Sequence, residues 1–289
     1  MKKRILALAL VASMCVSLAA CGNSGSKETE GTAANSSSAA AETTASGETE
    51  AEGDPVKGGT LTISLSASPS KLDPIHYSGV YESQIIKNVC DTLVEYNKDL
   101  SEYVPSLATD WTVSDDGMTY VFNIRQGVKF QDGTDFNAAA FKANYDRVVD
   151  KDNNLRQRRT FIIANADGSE TSRVESIETP DDYTVVIKLA KAWAPFINRL
   201  TQFCMISPAA LEEYGNDIMN HPCGTGPYVC TEWEEGDHTS FARNEEYWGE
   251  KPGVDTVTIR EVPEAGARTA MLQTGEADFI YPTPSDQIE

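Results

Sequence analysis

From residue 57 onward the apolar positions alternate between two periods. Thr60-Leu61-Thr62-Ile63-Ser64-Leu65 repeats every two residues, the pattern of a half-buried strand. Across Gly79 to Leu93, Val80, Ile85, Ile86, Val89 and Leu93 recur at near-helical spacing. Trp111-Thr112-Val113, the turn Ser114-Asp115-Asp116-Gly117 and Thr119 to Ile124 predict a hairpin. Asn137 stands where a side chain caps a helix over Ala138 to Val149. Arg173 to Leu189 predicts a second hairpin, turning at Pro180-Asp181-Asp182. Short helices follow over Trp193 to Leu200 and Pro208 to Tyr214, then a β pair over Gly226 to Phe241. A strand (Val254 to Val262), a helix (Ala265 to Leu272) and a short strand (Asp278 to Tyr281) complete the pattern. There is no regular βαβ repeat and no internal repeat. The expectation is α/β or mixed α+β, with several hairpins and a mixed sheet.

The first 56 residues carry none of this patterning. Lys2, Lys3 and Arg4 precede an uncharged, largely apolar run from Ile5 to Ala20. That run is shorter than the about 20 residues a spanning helix needs, and suits a signal peptide over 1–20. It ends in Leu18-Ala19-Ala20-Cys21, which resembles a bacterial lipobox, with Cys21 lipidated and the chain cut before it. The alternative is ordinary secretion with cleavage among the small residues. Lipidation at Cys21 would hold the protein on the outer face of the cytoplasmic membrane, since two acyl chains anchor stably where one does not. Residues 22–55 lack Val, Ile, Leu, Met, Phe, Trp, Tyr and Cys. Such a segment cannot offset its ordering entropy, so 21–56 is expected to be a disordered acidic tether. Its root-mean-square reach is roughly 30–35 Å.

Charge narrows the partners. Over 289 residues, 24 Lys+Arg stand against 44 Asp+Glu, a formal charge of −20. Nucleic acid is a poor partner for such a chain, because phosphate binding needs a basic surface. Past Cys21 four thiols remain, Cys90, Cys204, Cys223 and Cys230. Export permits disulfides, but sequence cannot choose among three pairings. Cys90 lies in an apolar helical pattern and reads as core; Cys223 and Cys230 bracket a turn and could bridge.

Catalytic patterns fail one by one. Ser68-Pro69-Ser70-Lys71 fits S-x-x-K, but the S-D-N and K-T-G partners of that motif are absent. The acidic turn Asp150 to Asn154 lacks the Gly and Glu of a calcium loop. Gly224-Thr225-Gly226 lacks the Lys-Ser/Thr of a phosphate loop, and neither G-x-S-x-G nor H-E-x-x-H occurs. His76, His221 and His238 have no ligand spacing, so no metal or cofactor is expected. Nothing argues for an enzyme.

Several stretches, taken in order, carry a resemblance. They are Gly58-Gly59-Thr60-Leu61, Leu72-Asp73-Pro74, Asp110-Trp111 with Asp116-Gly117-Met118-Thr119-Tyr120, and Ile124 through Gly133. Gly224-Thr225-Gly226-Pro227-Tyr228, Arg243-Asn244 with Tyr247-Trp248, and Gly275-Glu276-Ala277-Asp278 follow. From about residue 57 to 289 the chain resembles the N-terminal part of extracytoplasmic solute-binding proteins of family 5, the peptide/nickel receptors of ABC importers. The physical reading of most of these motifs is scaffold: turns at Asp116-Gly117 and Asp132-Gly133, and special backbone conformations at Gly224 and Gly226.

The resemblance implies a periplasmic-binding-protein-like type II clamp whose two lobes close over a solute. Residues 57–262 would be lobe I and 263–289 the beginning of lobe II, the rest being absent from this sequence. The implied activity is capture of di- or oligopeptides, as a monomer, for an ABC permease and ATPase complex. In related receptors the stretch after L-D-P lies along the peptide backbone; here it is Tyr77, Ser78, Gly79 and Val80. Main-chain groups there could pair with an extended peptide as an added strand. Ser78 stands where some relatives place an acid for the peptide's amino terminus. The bland reading is that 77–80 forms the entry turn of a helix. Nickel-chelate or oligosaccharide binding on the same scaffold, a sensor or adhesin-like surface lipoprotein, and a secreted hydrolase are the competing functions.

Overall fold

A computed structural model describes residues 57–67, 69–76 and 79–285. The signal segment, Cys21, the tether, Ser68, Tyr77, Ser78 and residues 286–289 lie outside the described residues. In chain order the elements are β1 (Thr60–Leu65), α1 (Val80–Val89), β2 (Val94–Tyr96), β3 (Tyr103–Pro105), β4 (Ala108–Val113) and β5 (Thr119–Ile124). Next come α2 (Ala138–Val149), α3 (Arg158–Phe161), β6 (Ile162–Ala164), β7 (Glu170–Ser172), β8 (Val174–Asp181) and β9 (Thr184–Leu189). The last are α4 (Phe196–Leu200), α5 (Pro208–Tyr214), β10 (Tyr228–Glu234), β11 (His238–Arg243), β12 (Thr256–Glu261), α6 (Ala265–Thr274) and β13 (Phe279–Tyr281).

Two larger sheets organise these elements. One has the order β10-β11-β12-β1-β13. In it β1 lies parallel to both β12 and β13, while β10, β11 and β12 run antiparallel. The other is antiparallel, β4-β5-β9-β8. Its alternation does what the sequence pattern requires. Tyr120, Phe122 and Ile124 of β5 and Val185, Ile187 and Leu189 of β9 are all buried, with Phe122 opposite Val185. Against them pack Phe136, Phe141, Phe161 and Phe203 in the main core. α2 is capped as expected: the Asn137 side chain accepts from Ala140 N at 2.9 Å.

The second core lies between α1 and the five-stranded sheet, where Ile85, Ile86 and Val89 meet Leu65, Phe241 and Ile259. Each of these three α1 side chains is 1% exposed. At about 1.5–3 kcal/mol apiece, their burial outweighs the marginal stability of a ten-residue helix standing alone. The pattern predicts that helix as far as Leu93, but it stops at Val89. The reason is competition for its last carbonyl. Gly226 N donates to Val89 O at 2.8 Å and Gln131 Nε2 donates to the same oxygen at 3.1 Å, so the chain turns away extended at Cys90.

Other expectations need correction. The second hairpin turns at Asp182-Tyr183, with Pro180 and Asp181 inside β8. The ribbons β2-β3 and β6-β7 were not foreseen, because three-residue strands are too short to show a period. Gly224 and Gly226 do not adopt left-handed backbone; Gly is required because a Cβ at Gly226 would lie 2.5 Å from Val89 C and one at Gly224 would lie 2.4 Å from Val89 O. Cys223 and Cys230 do not bridge: all four described cysteines are free. Cys90 is core, and burial pushes the Cys204 thiol up to about 12, which leaves it unreactive. Past residue 262, β13 (Phe279–Tyr281) pairs with β1 from Ile63↔Phe279 to Leu65↔Tyr281.

Candidate functional site

The parallel strands end together. Leu65 is level with Glu261 of β12 and Tyr281 of β13, Val262 N donates to Leu65 O at 2.8 Å, and Ser66 N donates to Tyr281 O at 3.1 Å. The β10–β11 turn reaches the same edge, because His238 is level with Arg260 and Glu261 N donates to Asp237 O at 2.7 Å. In open α/β sheets the crevice outside the carboxyl ends of parallel strands is where ligands collect.

Of the four expected contact residues, Gly79 and Val80 are described. Gly79 is the N-cap of α1 with no side-chain capping bond, and Val80, 62% exposed, is its first residue. Ser83 N donates to Gly79 O at 3.2 Å, so this carbonyl serves the helix, as in the entry-turn reading. The first N–H groups of a helix have no intrahelical acceptor and carry its positive dipole end. Glu82 answers part of that charge, its carboxylate filling the space a Cβ on Gly79 would take. Beside them Tyr81 hydroxyl and Ser66 Oγ share a 2.6 Å bond, and the Tyr81 and Tyr281 rings meet edge-on at 6.3 Å.

Upstream of Gly79 lies a cavity of about 520 Å³, walled by Lys71, Asp73, His76, Arg147, Glu212 and Asn216. Arg147 grips Asp73 with two bonds, Nη2 to Oδ2 at 2.6 Å and Nη1 to Oδ1 at 3.2 Å. Ile75 N also donates to Asp73 Oδ1, at 3.0 Å, which fixes the turn. Lys71 Nζ sits 3.0 Å from His76 Nε2. Burial first, and then the Lys71 ammonium, hold the His76 imidazole below its ordinary range. Sequence reading did not single out this cavity, because Leu72-Asp73-Pro74 meets its other walls, α2 and α5, only after folding.

Among the described residues one trio could hold a metal ion: the donor atoms of Glu234, Asp237 and His238 lie within 4.8 Å of one another. No linear spacing reveals it, since the β10–β11 turn brings the groups together. His238 is already engaged, Nδ1 at 2.8 Å from Asp237 and Nε2 at 3.3 Å from Glu232. Asp237 and then Glu232 hold its pKa up.

The motif residues build scaffold. Asp91 accepts from Trp248 Nε1 and Thr225 Oγ1, and Gln131 Nε2 donates to Tyr228 O at 2.8 Å while its Oε1 accepts from Gly224 N. The Arg125 guanidinium lies 4.7 Å over the Trp248 ring. Gln131 lies in the Ile124–Gly133 stretch, whereas Asp91 was not singled out in the sequence, because a half-buried acid has no periodic signature.

The structure thus combines a mixed sheet, whose parallel strands end at one edge, with an antiparallel sheet and its packed helices. The profile of the bacterial extracellular solute-binding proteins, family 5 (middle), matches residues 102–289, and the chain belongs to this family. It is 39% identical over 230 residues to the glutathione-binding protein GsiB of Salmonella typhi, taking in 78% of this chain and 43% of that protein. Among solved structures it is similar to DppA of Helicobacter pylori in complex with the peptide STSA. There the identity is 28% and the TM-score 0.66, over 76% of this chain and 46% of that one. NikA of Brucella suis in complex with Fe(III)-EDTA is 31% identical with a TM-score of 0.64, over 76% and 42% of the two chains. The chain thus spans less than half the length of the relatives it matches. Among the described residues no helix is long and apolar enough to cross a membrane.

Proposed function

We propose that this chain is the first lobe of a receptor that captures di- or oligopeptides for an ABC importer. In this reading lobe I extends through β13, a second lobe closes over the crevice at the ends of β1 and β13, and Cys21 anchors the protein outside the membrane. Tyr77, Ser78, Gly79 and Val80 then line the solute's path at the mouth of α1. The observation that carries the reading is the 39% identity over 230 residues, 78% of this chain, to a glutathione-binding protein. The test is thermal shift of the complete gene product against glutathione, mixed di- and tripeptides, nickel–histidine and oligosaccharides. A solute that prefers the native state raises apparent stability by about 2.7 kcal/mol at a hundredfold excess over Kd. Stabilisation by peptides alone is expected, and none by peptides would overturn the reading. Membrane fractionation of Cys21→Ala tests the anchor separately, with release into the soluble fraction expected.

A second reading, a metal-chelate receptor, is favoured by the 31% identity to NikA. Stabilisation by nickel–histidine or Fe(III)-EDTA and not by peptides would select it.

A further inference from the structure

The β10–β11 turn gathers acids around one imidazole. Glu232, Glu234, Glu235 and Asp237 fall within six residues, and no Lys or Arg occurs from Val229 to Ala242. Among the described residues no Lys or Arg pairs with any of the four; Glu232 and Asp237 pair only with His238. Arg260 of β12 is level with His238 and exposed, and it pairs with none of them. Strand register explains the convergence. β10 regains its alternation after the bulge between Cys230 and Glu232, so Glu232 and Glu234 share a face. Glu234 lies directly opposite His238, and Glu232 is its diagonal neighbour. Asp237 comes from the turn itself, which main-chain bonds hold at both sides: Asp237 N donates to Glu234 O at 3.1 Å and Asp237 O accepts from Glu261 N at 2.7 Å. The imidazole then has a carboxylate on each nitrogen, Asp237 Oδ2 at 2.8 Å from Nδ1 and Glu232 Oε2 at 3.3 Å from Nε2. Donor atoms of Glu234, Asp237 and His238 lie within 4.8 Å of one another, while Glu232 stands outside that trio.

We propose that Glu234, Asp237 and His238 Nδ1 bind a divalent transition cation of the zinc type, with Glu232 accepting from Nε2 to orient the ring. An imidazole donor selects such ions over magnesium and calcium, which prefer oxygen alone. A histidine that ligates a metal typically donates its second ring N–H to a carboxylate, which fixes the tautomer, and Glu232 stands where that acceptor is needed. Ligands about 2.1 Å from a shared ion are roughly 3.4 Å apart, so rotation of two exposed acid side chains closes the trio. The cation replaces the proton on Nδ1, which leaves to solvent, and answers two of the four carboxylates. Three protein donors leave a fourth position to water. The site uses no residue of the solute's path, so it does not depend on the peptide reading.

The experiment uses the complete gene product, stripped of metal with a chelator and titrated with zinc chloride, with calcium chloride as the oxygen-ligand reference. Nitrogen NMR of the imidazoles reads the site, with His238 assigned through His238→Gln. Expected is a zinc-dependent shift at His238 Nδ1 while Nε2 keeps its proton, with the His76 and His221 rings unmoved. Zinc affinity by calorimetry is expected to fall at least about tenfold in Asp237→Asn and in Glu234→Gln. Glu235→Gln removes the same charge from the same turn without removing a donor, and is expected to cost about threefold or less. Glu234 and Asp237 are exposed, so neither variant disturbs the core. A His238 ring that zinc does not shift overturns the proposal, as does calcium binding as tightly as zinc. Equal losses in Glu235→Gln and Asp237→Asn would also overturn it, because they would mark diffuse attraction to an acidic turn.

Discussion

Trp248 Nε1 donates to Asp91 Oδ2 at 2.8 Å, joining residues 157 positions apart. Thr225 Oγ1 donates to the same oxygen at 2.9 Å, and Tyr247 hydroxyl reaches Oδ1 at 3.5 Å. Two of the stretches that carry the family resemblance therefore meet at a residue belonging to neither. Burial pushes the Asp91 carboxyl up, against the pull of the three donors. Asp91→Ala leaves an indole N–H and a hydroxyl without an acceptor, and is expected to cost about 2–4 kcal/mol in urea unfolding. The sign of its pH dependence follows from the raised value. The native state binds the proton more tightly than the unfolded one, so this group's contribution is complete below its ordinary range near 3.8 and falls as pH rises through the native value. Asp91→Asn is expected to remove that component, flattening stability as pH rises above about 3.8.

Gly226 and Gly133 make a paired test of two reasons for glycine. A Cβ on Gly226 would lie 2.5 Å from Val89 C and 2.7 Å from Asn88 O, both main chain and unable to yield without moving α1. Gly133 has open space around it and a φ of 85°. Gly226→Ala is expected to cost about 3 kcal/mol or more, as overpacking against backbone does. Gly133→Ala is expected to cost about 1 kcal/mol from left-handed strain alone. Denaturation midpoints of the two variants check the order.

The strands and helices were legible where one face is buried. Thr60–Leu65 and Thr119–Ile124 match their predicted bounds; in Thr119–Ile124 every second residue packs inward, whereas Thr60–Leu65 runs between two neighbours and buries Ser64 as well as Leu65. Asn137 announced α2 because capping is local chemistry. What did not show was anything decided by distant chain: the early stop of α1, set by Gln131 and Gly226, and the reason Gly224 is glycine. The candidate site divides in the same way. Gly79 and Val80 could be pointed to by position after Leu72-Asp73-Pro74, whereas the cavity of Lys71, His76 and Arg147 needs α2 folded against the turn.

His238 is expected to stabilise the β10–β11 turn at acid pH and not at alkaline pH. Hydrogen bonds to Asp237 and then Glu232 raise its pKa above the ordinary 6.5. The folded state holds the proton more tightly, so the contribution is complete below 6.5 and is lost as pH rises through the native value. His238→Gln should therefore lower Tm at pH 5.5 more than at pH 8.5. An equal loss at both pH values would show that packing, rather than charge, is what the imidazole provides.

Arg147 and Asp73 are 16% and 8% exposed at their side chains, a nearly buried pair whose members depend on each other. Arg147→Met strands a buried carboxylate and is expected to cost about 3–5 kcal/mol. Asp73→Asn in the same background removes the stranded charge and should recover part of that loss. Urea unfolding of the two single variants and the double variant measures the coupling.

Val80 offers a variant that separates folding from binding at the mouth of α1. It is 62% exposed and occupies the first helical position, where an acid is favoured by about 0.3–1 kcal/mol through the helix dipole. Val80→Glu should therefore leave the unfolding midpoint unchanged or slightly raised. If the solute's main chain runs past the start of α1, the added side chain and charge stand in its path. Affinity of the complete receptor for glutathione, measured by calorimetry, is then expected to fall tenfold or more, equivalent to about 1.4 kcal/mol. A variant with wild-type affinity would remove Gly79 and Val80 from the solute's path while leaving the family assignment untouched, because that assignment rests on residues 102–289.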